Sequence, residues 1–566
     1  MGQERTSGVR AFTVLPIGAG AVESVIISAV VAALESSETP ASARAERLRD
    51  RLARTGWDRF DVAIVVVAAI ATFAVHPIQG ILSHPYWFDE AWVAALSRVP
   101  LSRLLSLHSP VPTGFITLLG LVPGSGLQRA RLVVLLFAAL TTVMAYVVTR
   151  SIGWPSRATA RVAAVAAAAA VMLVPAALIR NDLKQYTCDA FCALLVLSVG
   201  AWADRGPESA RLRWLAAVVV IVLPFSSTSA FVTVSAFTGL LASAAIDRRW
   251  PRVREILIVG AVAAVVVGAY YAAVVIPSAN ARLEAFWKDF YLSGSPQHMV
   301  RIAWDRLVLL QPHLAMPAGV FVAFFVVGIA VLARLGARAI AVAVPVLWVE
   351  MAVAGRLRRY PFLDLRTSNF LLMSSLVVVV IGVVGLLAAI ASRRPAARSV
   401  RRIASVVLGV AVAAAFASGS VHHVRQLAIP NEDVRSPTFF VAAHVGPHDV
   451  ILVNQAADYG FSFYWPRGGL EFHRNHFGTG FAVEATDAHA IYTPDRTYSA
   501  ILASLRVALD RWRHAGPDSR LFVVRTHSSP HELKAWKRAF TQLGVEPRKL
   551  AKGGDLVFEL GPPIGG

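Results

Sequence analysis

The stretch HPYWFDEAWVAALSRVP, residues 84–100, follows directly on an apolar run long enough to cross a membrane. It sets two adjacent carboxylates, Asp89 and Glu90, among aromatic side chains. A carboxylate pair there has two readings. It caps a surface helix that starts at this point, or it is a working group held at a membrane boundary, where ionisable residues are costly and often functional. The remainder of the chain decides between them.

Of the 566 residues, 56% are hydrophobic and only 16% charged. Soluble domains carry roughly a quarter charged residues, so the composition predicts a polytopic α-helical membrane protein. The formal net charge is +20, from 55 Lys+Arg against 35 Asp+Glu. Most of that charge falls in short loops between apolar runs, where it reports topology rather than affinity for nucleic acid. The two cysteines, Cys188 and Cys192, sit four apart in one predicted helix. That spacing suits two small buried side chains better than a disulfide.

A spanning helix needs about 20 apolar residues. Candidate spans fall at 62–82, 130–149, 162–179 and 187–203, with a hairpin over 214–246 broken near Pro224 and Ser226–Ser229. Others follow at 255–276, 316–333, 338–354, 369–391 and 402–419. That makes about eleven spans. Basic loops such as RLGAR and SRRPAARSVRR alternate with the others and place the N-terminus in the cytoplasm of a bacterial plasma membrane. Residues 1–60 read as a basic cytoplasmic leader and 61–420 as the membrane domain. Its outer loops are 83–129, 180–187, 277–315 and 355–368. From 421 to 566 the pattern changes: DVILVN, SRLFVVRTH and DLVFEL read as buried strands and HELKAWKRAFTQLGV as an amphipathic helix. This predicts a C-terminal extracytoplasmic α/β domain.

Three outer segments break the charge bias. They are Asp89–Glu90; the run Arg180, Asp182, Lys184 and Tyr186, with Asp189 one helical turn on; and GRLRRYPFLDLR, with Arg356, Arg358, Arg359, Tyr360, Asp364 and Arg366. Each lies just beyond a predicted helix end on the same side. Together they predict a cavity lined by carboxylates and cations, a combination suited to phosphate chemistry. Arg and Lys hold phosphate oxygens by charge-assisted hydrogen bonds, and a carboxylate takes a proton from an attacking hydroxyl.

These segments resemble the GT-C superfamily of integral membrane glycosyltransferases. The likeness is greatest to the family 39 branch, which includes protein O-mannosyltransferases and aminoarabinose transferases. The resemblance rests on WFDEAW (87–92) after the first span, HSPVPTGF (108–115), the arginine of RARLVVLL (Arg131), KQYTCDAF, and YPFLDLR (360–366). It covers roughly residues 60–390. It implies a GT-C fold and a donor sugar on a polyprenyl phosphate, passed with inversion to a cell-envelope glycan, lipid or protein. It implies Asp89 as general base, with Glu90 either supporting it or contacting acceptor or sugar, and with Lys184, Arg358, Arg366 and Arg180 on the donor phosphate. His108, Asp182, Tyr186, Asp189, Arg359 and Tyr360 are further site candidates. Some members of the superfamily use Mg or Mn; no ligand constellation in this sequence commits to a metal. His422–His423 and His473-x-x-His476 read as surface histidines.

A second function class is a transporter or flippase of an anionic lipid or glycan. Transporters commonly show repeated halves with paired broken helices near mid-membrane. No repeat is visible here, and the charges gather at one face.

Overall fold

The computed structural model describes residues 57–122, 128–174, 182–206, 208–279, 281–392, 432–474, 480–486, 488–550 and 556–560. The chain divides into two compact units, residues 1–64 and 65–566. The first is described only where helix α1 (Arg59–Val75) begins.

The helical part of the second unit contains α2 (Phe88–Leu96), α3 (Arg131–Arg150), α4 (Arg157–Leu173), α5 (Tyr186–Asp204), α6 (Ser209–Val222) and α7 (Ser229–Ile246). It continues with α8 (Trp250–Tyr270), α9 (Ala318–Arg334), α10 (Arg338–Arg356) and α11 (Asn369–Ser392). Six described helices are long and apolar enough to cross a membrane, among them Trp250–Ser278, which extends α8; Ala318–Arg334 is a shorter apolar helix. The protein is thus a multipass membrane protein. The expected span over 62–82 is interrupted at His76–Pro77, after α1, because proline offers no N–H to continue a helix. The run 214–246 is two helices, α6 and α7, as a hairpin requires. Between them the Pro224 carbonyl accepts from the Gly114 amide at 2.7 Å. The expected span at 402–419 lies outside the described residues.

Small residues set how closely these helices pack. One face of α4 buries Ala160, Ala163, Ala164, Ala167 and Ala168, and small faces allow close backbone approach between membrane helices. Helices α9 and α11 come closer still. A Cβ on Gly382 would lie 2.3 Å from the Phe324 carbonyl oxygen, and one on Gly328 would lie 2.1 Å from that of Val378.

The loops assigned from sequence to one side do converge. Arg249 reaches Asp204 at 3.5 Å and Asp247 at 3.0 Å, and Arg338 pairs with the same Asp247. The opposite end of the bundle gathers the segments around residues 89, 182 and 366.

The C-terminal part is an α/β layer structure, as expected. Its elements are α12 (Arg435–His444), β1 (Val450–Val453), α13 (Asp458–Tyr464), β2 (Leu470–Arg474), β3 (Phe481–Ala485) and β4 (Ala490–Tyr492). They are followed by α14 (Tyr498–His514), β5 (Leu521–Arg525), α15 (Pro530–Gln542), β6 (Arg548–Leu550) and β7 (Leu556–Leu560). The main sheet runs β4-β1-β5-β7-β6, and β2–β3 is a separate antiparallel pair. Strand β1 is parallel to both β4 and β5, while β7 is antiparallel to β5 and β6. One sheet face buries Val450, Leu452, Leu521 and Val523 beneath α14 and α15. The other buries Ile451, Val453, Phe522 and Val524 in a core continuous with the helical part.

Replacing Gly382 by Val should force α9 and α11 apart and destabilise the protein by roughly 1–3 kcal/mol. Gly268→Ala, which meets nothing within 4 Å, should shift stability by less than about 1 kcal/mol. Thermal unfolding of the two variants in detergent measures the contrast.

Candidate active site

Helix α2 presents the acidic pair in its first turn. Successive residues on a helix point in directions about a quarter-turn apart, so Asp89 and Glu90 meet different surroundings. Glu90 is turned inward. Its side chain and that of Arg131 are both 0% exposed. Arg131 Nε donates to Glu90 Oε1 at 2.8 Å, and an NH2 hydrogen goes to Glu90 Oε2. The other guanidinium hydrogens meet backbone carbonyls. NH1 donates to Ile81 at 2.6 Å and His84 at 2.7 Å, and NH2 to Pro85 at 3.0 Å. Glu90 Oε1 also accepts from the Leu183 amide at 2.8 Å. One carboxylate therefore ties α2 to the start of α3 and to the loop before α5.

Asp89 is turned toward the opening. Its Oδ2 lies 3.1 Å from Arg366 NH1, and the two side chains are 27% and 18% exposed. The turn before α11 fixes Arg366. Asp364 Oδ2 accepts from the amides of Arg366 (3.1 Å) and Thr367 (2.9 Å) and from the Thr367 hydroxyl (3.2 Å). This Asx-type turn uses a side chain to satisfy amides that precede the helix. Tyr360 donates its hydroxyl to Thr367 O at 3.0 Å, and Asn369 Nδ2 donates to Tyr186 O at 2.9 Å, joining this turn to α5.

The third segment brings Asp182 and Lys184 alongside. The Lys184 ammonium stands 3.6 Å from the centre of the Trp92 ring, one helical turn beyond Asp89. Lys184 is buried and makes no carboxylate ion pair among the described residues. Both oxygens of Asp182 are buried with no hydrogen-bond partner there. Burial pushes the Asp182 carboxyl up, against the pull of Lys184, with Glu90 and Asp89 adding to the rise. Burial pushes the Lys184 ammonium down, partly offset by Asp89 and Asp182. The result is a cluster of three carboxyl groups and two cations, Asp89, Glu90, Asp182, Lys184 and Arg366, in which Lys184 lies near Asp89 and Asp182 without a direct ion pair to either.

Other sequence candidates lie elsewhere. Asp189 is buried in the first turn of α5, near the hydroxyls of Ser226 and Thr228 at the α6–α7 turn rather than in the cluster. Arg358 and Arg359 are exposed just beyond α10, and Arg358 acts on Tyr291 rather than on the cluster. His108 has a left-handed backbone, φ 51°, and its carbonyl would be 2.7 Å from a Cβ at Gly480, so it packs against the β2–β3 pair. Arg180, His422, His423 and His476 lie outside the described residues, and His473 is exposed. Among the described residues no group of three or more His, Cys, Asp or Glu is placed to hold a metal.

ArnT from Cupriavidus metallidurans, in its apo state, matches with a TM-score of 0.50 at 16% identity, over 90% of this chain and 100% of that one. The chain has the GT-C fold. The Archaeoglobus fulgidus oligosaccharyltransferase, solved with Zn and sulfate, gives a TM-score of 0.49 at 11% identity, over 81% of this chain and 68% of that one. No protein-family model and no curated protein matches.

Within this GT-C fold, several contributors to the site were not singled out from sequence. Trp92, which seats Lys184, was visible as the last letter of WFDEAW. The Leu183 amide has no side-chain signature. Nor do Glu432 and His527, which reach the acid loop from the C-terminal part.

Arg131→Met should leave Glu90 buried and unpaired and destabilise the protein by about 3–5 kcal/mol. The double variant Glu90→Gln/Arg131→Met should be less destabilised than the sum of the single changes. Unfolding of the three variants in detergent gives the coupling.

Proposed function

We propose that this protein is a glycosyltransferase that moves a sugar from a polyprenyl phosphate to a hydroxyl of a cell-envelope acceptor, with inversion at the anomeric carbon. The observation that supports it most is the partly exposed Asp89 carboxylate beside Arg366, with the buried Lys184 ammonium, which makes no direct ion pair among the described residues, next to them. An anionic leaving group and a neutral nucleophile need that pairing of groups.

Asp89 accepts the acceptor's hydroxyl proton as the oxygen attacks the anomeric carbon. The bond from that carbon to the phosphate oxygen breaks, and its electron pair stays on the phosphate. Lys184 and Arg366 stabilise the charge that develops there, and fixed cations in a partly dry site do this without reorganising. Glu90 acts through Arg131 to hold α2 in place and does not touch the reactants. Asp182, whose two buried oxygens have no hydrogen-bond partner among the described residues, hydrogen-bonds a sugar hydroxyl. The lipid tail lies between helices. About eleven spans, a cytoplasmic N-terminus and a catalytic face shared with the α/β domain outside a bacterial plasma membrane complete this reading. The charges gather at one end of the bundle, which favours a transferase over a mid-membrane transport site.

The purified protein in lipid vesicles, given a panel of polyprenyl-phosphate sugars and a crude envelope acceptor fraction, should release sugar from one donor, followed by mass spectrometry. Asp89→Asn should lower that turnover by roughly 10²–10⁴-fold. Lys184→Ala and Arg366→Ala should each cost about 10²–10³-fold. If no donor turns over and Asp89→Asn still supports growth of a strain that needs the protein, the transferase reading fails.

A further inference from the structure

The parallel strands of the C-terminal sheet have a topological switch. From β1 the chain passes to β4 on one side and then crosses to β5 on the other. Open α/β sheets take their ligands in the crevice at the carboxyl ends of strands where such a reversal occurs. Here that crevice lies between the ends of β1 and β5, and polar residues line it. Asn454, just past β1, is fully buried and donates to Thr526 O and Glu532 Oε1, both at 3.0 Å. Arg496 donates to Gln455 Oε1 at 3.2 Å. His527, just past β5, has a left-handed backbone with φ 46°, an uncommon conformation for a residue other than glycine.

A side chain from the acid loop sits at this edge. The Phe88 ring stacks on His527 with centroids 5.0 Å apart and planes 9° apart. The Arg496 guanidinium is 5.2 Å from the same ring, and Tyr459 is 6.1 Å from it. Phe88 is also the first residue of α2. The residue before it, Trp87, makes no side-chain cap, so the first amides of the helix need partners from elsewhere. Glu432 supplies one: its Oε2 accepts from the Phe88 amide at 3.3 Å. Its other oxygen, Oε1, is held by His527 Nδ1. A carboxylate there also favours the positive end of the helix dipole. Two further ties come from α13. The Tyr464 hydroxyl accepts from the Tyr86 amide at 2.7 Å, and Arg98 donates to Phe463 O at 3.1 Å while lying 3.9 Å from that ring.

We propose that the switch-point crevice of the α/β domain is a binding site whose ligand is the chain's own acid loop. Phe88 is the group bound, Glu432 the cap of helix α2, and His527 the group that orients Glu432. The domain then positions the first turn of α2, and with it Asp89. Glu432, His527 and Tyr464 are positioning residues. The binding stands on the contacts alone; its effect on turnover rests on the transferase reading above.

The test is hydrogen–deuterium exchange on the full-length protein in nanodiscs, read beside donor turnover. Glu432→Ala and His527→Ala should speed amide exchange in residues 84–92 by roughly tenfold, the size expected for losing a helix cap. Exchange in α3 and β5 should not change. Turnover number should fall by a similar factor while the donor KM holds, since Lys184 and Arg366 are untouched. Glu432→Gln keeps an oxygen for the Phe88 amide and should restore both readouts. If Glu432→Ala fails to fold, Phe88→Ala and Tyr464→Phe probe the same contacts. Unchanged exchange in 84–92 for the folded variants overturns the proposal, as does a uniform rise across the protein. Faster exchange at 84–92 in a protein whose wild type turns over no donor supports the crevice as binding site and counts only against the transferase reading.

Discussion

The site depends on one buried ion pair. Glu90 and Arg131 are inaccessible to solvent, and every hydrogen of the guanidinium has an acceptor. A buried pair of this kind is poor evidence of net stability, because desolvation offsets its attraction. What it supplies is geometry. The pair joins the loop after the first helix, the start of α3 and the loop before α5, and the direction in which Asp89 faces follows from where Glu90 is anchored. The two carboxylates of WFDEAW differ by burial: Glu90 is sealed into the scaffold, and Asp89 stays partly exposed beside Arg366.

The parts of the site legible in the sequence were those with an electrostatic anomaly. Asp89, Asp182, Lys184 and Arg366 stood out as charges where apolar helices end, and they meet in the structure. Periodicity and composition also conveyed the membrane class, the α6–α7 hairpin and the strands β1, β5 and β7. Partition among the cations was not legible. Arg358, Arg359 and Arg366 look alike in GRLRRYPFLDLR, and only the turn built by Asp364 directs one of them to Asp89. The short β2–β3 pair and strand β4 escaped because runs of three to five residues carry little periodic signal.

Contacts of long range were the least visible. Tyr86 and Tyr464 are 378 residues apart, and nothing local to either marks the other. The switch point of the sheet could be located only once strand order was known, since the order β4-β1-β5 is not the order of the chain. The C-terminal part therefore read from sequence as a separate appendage, whereas its core is continuous with that of the helical part.

The glycines of α9 and α11 have a mechanical consequence. Where Gly328 and Gly382 lie, the backbones of the two helices are near enough that a single methyl group would collide with a carbonyl. Interlocked main chains resist sliding as gear teeth do. The neighbouring α8 is of the opposite kind, with only Arg252, Ile256 and Ala263 buried along its length. Packing in this bundle is thus unevenly shared: α9 and α11 meet backbone to backbone, while α8 leaves most of its length unburied.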